Sequence, residues 1–246
     1  MCHLCDAREA VTAQATSRRR FLGLTGGIAA GLAFSSAAWA KDTKPPPKPQ
    51  NVVSPDEALD RLMKGNARYV EGFSRRHDFK HEREALAGGQ NPYAAILSCA
   101  DSRIAPEYAF DSGRGDLFVC RVAGNFANDD SVASLEYSVA VLKTPLFVVL
   151  GHEGCGAVDA TIKSLKDNTT LPGHLPSLVA ALAPAVKAVA DQPGDKLVNA
   201  TRRNVSDNVA KLKAAAPILS EAVGQGRLKI VGGIYRLGDG RVELLS

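Results

Sequence analysis

Three short apolar runs, Ala94-Ala95-Ile96-Leu97, Leu117-Phe118-Val119-Cys120-Arg121-Val122 and Leu146-Phe147-Val148-Val149-Leu150, are separated by stretches with helical spacing, and this alternation restricts the fold more than any other feature. Runs of this length with little polar alternation are what strands buried on both faces look like. Between and beyond them, residues 131–143 bring Leu135, Val139 and Leu142 to one side, and residues 198–214 do the same with Val205, Val209 and Leu212. Strands that alternate with helices need crossover connections, which implies a parallel sheet. A fourth strand is expected at 228–235; Gly238-Asp239-Gly240 then turns the chain into a short final strand, 241–245, antiparallel to it. The expected class is α/β: a mostly parallel central sheet of four strands with a short antiparallel fifth, flanking helices and an N-terminal helical arm. That arm opens with Ser54-Pro55-Asp56-Glu57, a capping serine, a first-turn proline and a glutamate three residues after the cap. Leu59, Leu62, Met63 and Val70 continue it as an amphipathic helix over 55–70.

The apolar run at 21–40 is a different kind of segment. It follows Ser17-Arg18-Arg19-Arg20-Phe21-Leu22 and ends in Ala38-Trp39-Ala40, the pattern of a cleavable export signal of the twin-arginine type. A membrane anchor is the alternative, disfavoured by the glycines and serines within the run and by the small-x-small ending. Residues 1–40 are therefore expected as a signal peptide, 41–53, with Lys44-Pro45-Pro46-Pro47-Lys48-Pro49, as an extended linker, and 54–246 as one folded domain. The protein is then expected to be periplasmic or secreted, with no stable membrane anchor after cleavage. The leader holds four of the 30 Lys/Arg and two of the 26 Asp/Glu, so cleavage lowers the net charge from +4 to +2. Without a basic stripe interleaved with aromatics, no nucleic-acid partner is expected.

Cys2 and Cys5 leave with the leader, which keeps Cys99, Cys120 and Cys155. An odd, small number of thiols in an exported domain argues against a disulfide framework and for chemistry or a metal. A twin-arginine signal fits, because that route carries proteins already folded, with thiolates already occupied by a metal. Cys99-Ala100-Asp101-Ser102-Arg103 follows the first apolar run, and Gly151-His152-Glu153-Gly154-Cys155-Gly156 follows the third. In an open parallel sheet, ligands bind at the C-terminal strand ends, so Cys99, Asp101, Arg103, His152 and Cys155 should share one crevice. Taken singly, each thiol reads as a core residue and the histidine as a satisfied strand end. Together, two thiolates and an imidazole suit zinc with three protein ligands and one open position. The spacing of 53 from Cys99 to His152 excludes a compact zinc finger.

With these motifs, the sequence resembles the β-class carbonic anhydrases. Gly115-Asp116-Leu117-Phe118-Val119-Cys120-Arg121, Leu135-Glu136-Tyr137, Val231-Gly232-Gly233-Ile234-Tyr235 and Gly240-Arg241-Val242 extend the resemblance over about residues 55 to 245. It implies reversible hydration of carbon dioxide to bicarbonate by a zinc-bound hydroxide, with one zinc per subunit on Cys99, His152 and Cys155. Asp101 either pairs with Arg103 and accepts the nucleophile's hydrogen bond, or takes the fourth ligand place and blocks the site. The resemblance further implies that Gln90 and the Gly156 N–H donate towards substrate, that Phe118 and Tyr137 line the pocket across a subunit boundary, and that the protein is a homodimer or homotetramer. Ile96 stands where bicarbonate-regulated members resemble one another in having tryptophan, so a regulatory bicarbonate pocket beside Arg121 is not expected. Val122 stands where asparagine is common.

Other residues are set aside. His77 and His81, four apart, lie in a charged stretch that reads as a solvated arm; His174 lies in a turn; Cys120 behaves as a small hydrophobe; Glu153 belongs at the crevice rim. Three rival readings remain at this level: hydrolysis of another heteroallene such as carbon disulfide on the same scaffold, a non-catalytic zinc-stabilised binding module with Asp101 permanently on the metal, and a thiol redox protein using Cys99 and Cys155.

Overall fold

The computed structural model describes residues 48–245. The expected signal peptide and most of the proline-rich linker lie outside the described residues. Each apolar run forms a strand: β1 (Ala94–Ser98), β2 (Leu117–Arg121) and β3 (Leu146–His152), followed later by β4 (Lys229–Tyr235) and β5 (Val242–Leu245). They make one sheet in the order β2-β1-β3-β4-β5. All neighbours are parallel except β4 and β5, as expected. Every residue of β1 and β3 is buried, whereas β2, at the edge, is half-exposed.

The order of the strands positions the site. After β1 the chain crosses to β2 on one side, and its next strand, β3, lies on the other side of β1. The connection therefore reverses direction between β1 and β3, and the loops leaving these two strands flank an opening at their C-terminal ends. In register, Ser98 of β1 stands beside Leu150 of β3, so the segments after them emerge side by side.

Helices cover both faces. On one lie α4 (Asp129–Ala140), α7 (Lys196–Ala214) and α8 (Ile218–Gly224), burying Leu135, Val139, Val205, Leu212 and Leu219 against Ala95, Leu97, Phe147, Val149 and Ile230. On the other lie α1 (Pro55–Val70) and the short α3 (Pro106–Ala109), with Ala58 and Leu62 packed among Ile96, Leu146, Val148 and Leu150. The expected cap of α1 forms in full: the Ser54 hydroxyl accepts from Glu57 N–H, and Ser54 N–H donates to the Glu57 carboxylate. This part of the helical arm is committed to its own sheet. Among the described helices, only α2 (Phe79–Leu86) carries no buried residue. At the C-terminal edge of the sheet, α5 (Gly156–Asp167) and α6 (Leu175–Ala188) form a third apolar cluster that includes Cys99 and Cys155.

The last residues of the expected linker are docked rather than extended into solvent. Asn51 is buried, and its amide donates to Asn91 O at 2.7 Å and to the Asp116 carboxylate at 3.1 Å. Asp116 also pairs with Lys48 and Arg61, so a buried carboxylate ties the chain before α1 to the turn before β2.

Two close approaches require glycine. Without a side chain at Gly151, α7 comes so near β3 that an added Cβ would lie 2.6 Å from Val205 Cγ2. At Gly65 in α1, a Cβ would lie 1.9 Å from the carbonyl oxygen of Phe110. A Gly65→Ala helix gains about 1 kcal/mol in propensity, but the obstacle is backbone and cannot rotate away, and overpacking of this kind costs about 1–3 kcal/mol or more. Gly65→Ala is therefore expected to lower the urea unfolding midpoint; an unchanged or higher midpoint would show that α1 does not seat against Phe110 this closely.

Candidate metal centre

Cys99 is the first residue after β1, His152 the last of β3, and Cys155 the N-cap of α5. All three are buried, His152 and Cys155 with 0% exposure, and their ligand atoms lie within 4.8 Å of one another. The ring of His152 is oriented by Nδ1, which lies 2.8 Å from the backbone oxygen of its neighbour Glu153 and, as the protonated nitrogen, donates to it. That leaves Nε2 with its lone pair in the cluster. It is buried and has no hydrogen-bond partner, an arrangement that is costly for a polar atom unless an electron-pair acceptor sits there. Two sulfurs and a correctly oriented imidazole make a donor set that fits zinc.

Electrostatics around the sulfurs points the same way. The Cys99 thiol is held well below its ordinary range, first by a hydrogen bond from Cys155, then by contacts from His152 and the Gly124 N–H, against the opposing effect of burial. Cys155 is pushed up by the same shared proton and by burial. Two adjacent buried thiols cannot both ionise on their own; a divalent cation between them allows both to do so. Cys155 also stands at the positive end of α5, which favours its thiolate.

Asp101 and Arg103 meet as a pair. Arg103 donates from Nε to Asp101 Oδ1 at 2.9 Å and from Nη2 to Oδ2 at 2.7 Å, and its backbone N–H also reaches Oδ1. These bonds hold the Asp101 carboxyl well below the usual carboxylate range. Its Oδ2 lies 3.9 Å from His152 Nε2, near the cluster but engaged by the guanidinium. Of the two alternatives for Asp101, this structure has the Arg103 pair.

The remaining site residues divide by location. Gly156 follows Cys155 directly as the first residue of α5, so its N–H belongs to the unsatisfied first turn of that helix. Gln90 is exposed and precedes β1, at the sheet edge opposite the cluster; the five residues of β1 alone span about 17 Å. Phe118 is the second residue of edge strand β2 and packs against the α4 and α7 face, while Tyr137 is 48% exposed on α4. Within one protomer, Gln90 and Phe118 thus stand towards the other end of β1 from the metal ligands.

Residues set aside on sequence grounds also find ordinary settings. His77 and His81 pair with Glu82 and Asp78 rather than with each other. His174 is exposed before α6, and Cys120 packs in the apolar face with its thiol pushed up by burial. Glu153 is half-exposed and accepts from Leu237 N–H. Sequence reasoning missed the part played by Arg121. From the end of β2, its guanidinium donates to the backbone oxygens of Cys99 at 3.0 Å, Asp101 at 2.8 Å and Ile104 at 2.8 Å, bracing the loop that carries both a ligand and Asp101. An arginine closing an otherwise apolar strand was the available signal.

Comparison with known proteins places this architecture. The carbonic anhydrase family model matches residues 94–242, which span every strand but the last residues of β5. The chain belongs to the carbonic anhydrase family. It is 40% identical to carbonic anhydrase 2 of Mycobacterium tuberculosis over 193 residues, covering 78% of this chain and 93% of that protein. With the carbonic anhydrase of Mycolicibacterium smegmatis it shares 38% identity over 194 residues, covering 78% and 94%. Among solved structures, that of the β-carbonic anhydrase CcaA aligns with a TM-score of 0.61 at 27% identity, over 77% of this chain and 92% of that one. The class is therefore the β-carbonic anhydrases, whose metal is zinc, and Cys99, His152 and Cys155 form the corresponding cluster here.

The two buried thiols and Cys120 should part company on substitution. Cys155→Ser is expected to weaken zinc binding by more than the roughly 10–100-fold that loss of an outer partner costs, measured by competition with a chromogenic chelator, while Cys120→Ser keeps wild-type affinity. Equal affinity in both variants would remove Cys155 from the ligand set.

Proposed function

We propose that this protein catalyses the reversible hydration of carbon dioxide to bicarbonate and a proton, with one zinc held by Cys99, His152 and Cys155. The observation that carries the reading is the pairing of Asp101 with Arg103, which leaves a Cys2His donor set one ligand short of tetrahedral. A non-catalytic module closed by Asp101 would need that pair to be broken.

Zinc in such a place acts as a Lewis acid that lowers the pKa of a water molecule towards neutrality. The chain's own groups do the rest. His152, fixed by its bond to Glu153 O, keeps Nε2 towards the cluster. Asp101, held anionic at neutral pH by Arg103, offers Oδ2, 3.9 Å from His152 Nε2, as a hydrogen-bond acceptor beside the cluster and can accept the hydrogen bond of an attacking water so that a lone pair points at carbon. Arg103 spends two donors on the carboxylate and so keeps it from swinging in as a fourth ligand. Arg121 fixes the backbone between Cys99 and Ile104, and with it the distance between the ligand sulfur and Asp101. Val158 and Leu182 share the apolar cluster of Cys99 and Cys155, surroundings that suit an uncharged substrate. The proton released with each bicarbonate passes to solvent.

The proposal includes a homodimer or homotetramer. Gln90, Phe118 and Tyr137 can serve substrate only if a second protomer brings them to the cluster, and half-exposed β2 with Tyr137 on α4 and Val141 at its C-cap offers a surface for it. The test is stopped-flow hydration by zinc-loaded protein of known mass. The expected result is hydration far above the uncatalysed rate in a dimer or larger species, with Asp101→Asn retaining zinc but losing about 10²-fold or more. A zinc-loaded oligomer that does not hydrate carbon dioxide at any pH would end the proposal.

For location, the proposal is export after folding, supported by Arg18-Arg19 and the small-x-small ending at Ala38-Trp39-Ala40. Cell fractionation should find zinc-loaded protein lacking the first 40 residues outside the cytoplasm, and an Arg18→Lys, Arg19→Lys chain retained inside. Export of the doubly substituted chain at the wild-type level would count against the twin-arginine route.

A further inference from the structure

Helix α7 reads as an amphipathic cover for the sheet, yet its buried stripe contains two asparagines one turn apart. Asn204 and Asn208 lie among Val205 and Leu212, with Asn204 only 2% exposed. Amides buried in an apolar face are costly unless paired, and these pair on the loop between β2 and α4. Asn204 donates from Nδ2 to Gly124 O at 2.8 Å; Asn208 donates to Asn204 Oδ1 at 3.0 Å and accepts from Ala127 N–H at 2.7 Å. The two side chains thus pin Gly124 and Ala127 within that loop from a helix about 80 residues further along the chain.

What the loop does with that placement separates it from ordinary packing. The N–H of Gly124 donates to Cys99 Sγ at 3.3 Å, so the residue that Asn204 holds by its carbonyl presents its amide to a metal-ligand sulfur. Gly124 adopts φ +84°, and a Cβ there would lie 2.8 Å from Leu182 Cδ1, so the loop reaches the sulfur only with glycine at this point. A hydrogen bond to a ligating thiolate draws charge from sulfur, weakens its donation and leaves the cation more electrophilic.

We propose that Asn204 is a positioning residue of the metal centre: through Gly124 it keeps an N–H on Cys99 Sγ and thereby tunes the electrophilicity of the bound ion. The proposal rests on the zinc reading above. It assigns to α7 a role that none of its residues could show by touching metal or substrate.

Cobalt(II) in place of zinc makes the test optical, because thiolate-to-cobalt charge transfer in the near ultraviolet moves to lower energy when sulfur becomes richer in electrons. Asn204→Asp keeps volume and acceptors but has no donor for Gly124 O at neutral pH; Asn204→Leu removes the donor without adding charge. Both are expected to shift the band to longer wavelength, while Leu212→Ala, buried in the same helix about two turns beyond Asn204 and with no polar group to offer Gly124, leaves it in place. Bands unmoved in cobalt-loaded Asn204 variants, or moved equally by Leu212→Ala, would overturn the proposal and leave the zinc reading intact. Wild-type protein that binds no cobalt would overturn both. A further measurement needs no variant: in the cadmium-113 protein, scalar coupling between the Gly124 amide proton and the metal is expected across the sulfur, and its absence would overturn the proposal whether or not the variants fold.

Discussion

The adjacency of β1 and β3 is the constraint on which this molecule depends. Two parallel strands, buried on both faces and held in register over Ala95 to Ser98, deliver their following residues to one spot. Nothing local to Cys99-Ala100-Asp101-Ser102-Arg103 or to His152-Glu153-Gly154-Cys155 would make either bind a metal tightly. Their approach is set by backbone hydrogen bonds and by the apolar side chains on both sheet faces, and the stability of those layers is what holds sulfur, sulfur and nitrogen within bonding range of one cation.

Around that spot, each ligand and its neighbour is oriented by a second group. The His152 ring is turned by Glu153 O, the Asp101 carboxylate is held beside the cluster by Arg103, and the loop from Cys99 to Ile104 is braced by Arg121. The contacts of Arg103 and Arg121 are charge-assisted, which makes them stronger than hydrogen bonds between neutral groups. Chemistry at the site consequently draws on residues from β1, β2 and β3 and on the loops between them. The third apolar cluster, where α5 and α6 meet, seals the sulfurs from bulk water.

Much of this was legible in advance, for identifiable reasons. The strands announced themselves because a fully buried parallel strand is a short apolar run, and the α1 cap because Ser54 and Glu57 are neighbours along the chain. Antiparallel β5 followed from a glycine-flanked turn. Helices α5, α6 and α8 carried weaker signals: α5 starts on a glycine, α6 contains Pro184, and α8 is only seven residues long. The linker's docked end was also hidden, since Asn51 finds Asn91 and Asp116 only after folding.

By itself, the sequence determined the class of fold, the succession of its strands along the chain and the identity of the groups able to hold a metal, because strand periodicity, capping and ligand chemistry are properties of near neighbours. The tertiary structure decided what those groups do. It turned Asp101 to Arg103, set Arg121 on three backbone oxygens, led Asn204 to the loop that touches Cys99, and left Gln90 at the far edge of the sheet. Each of those outcomes depends on distances between residues remote in sequence or on the direction a side chain takes in a crowded interior, and neither is written in the spacing of the residues along the chain.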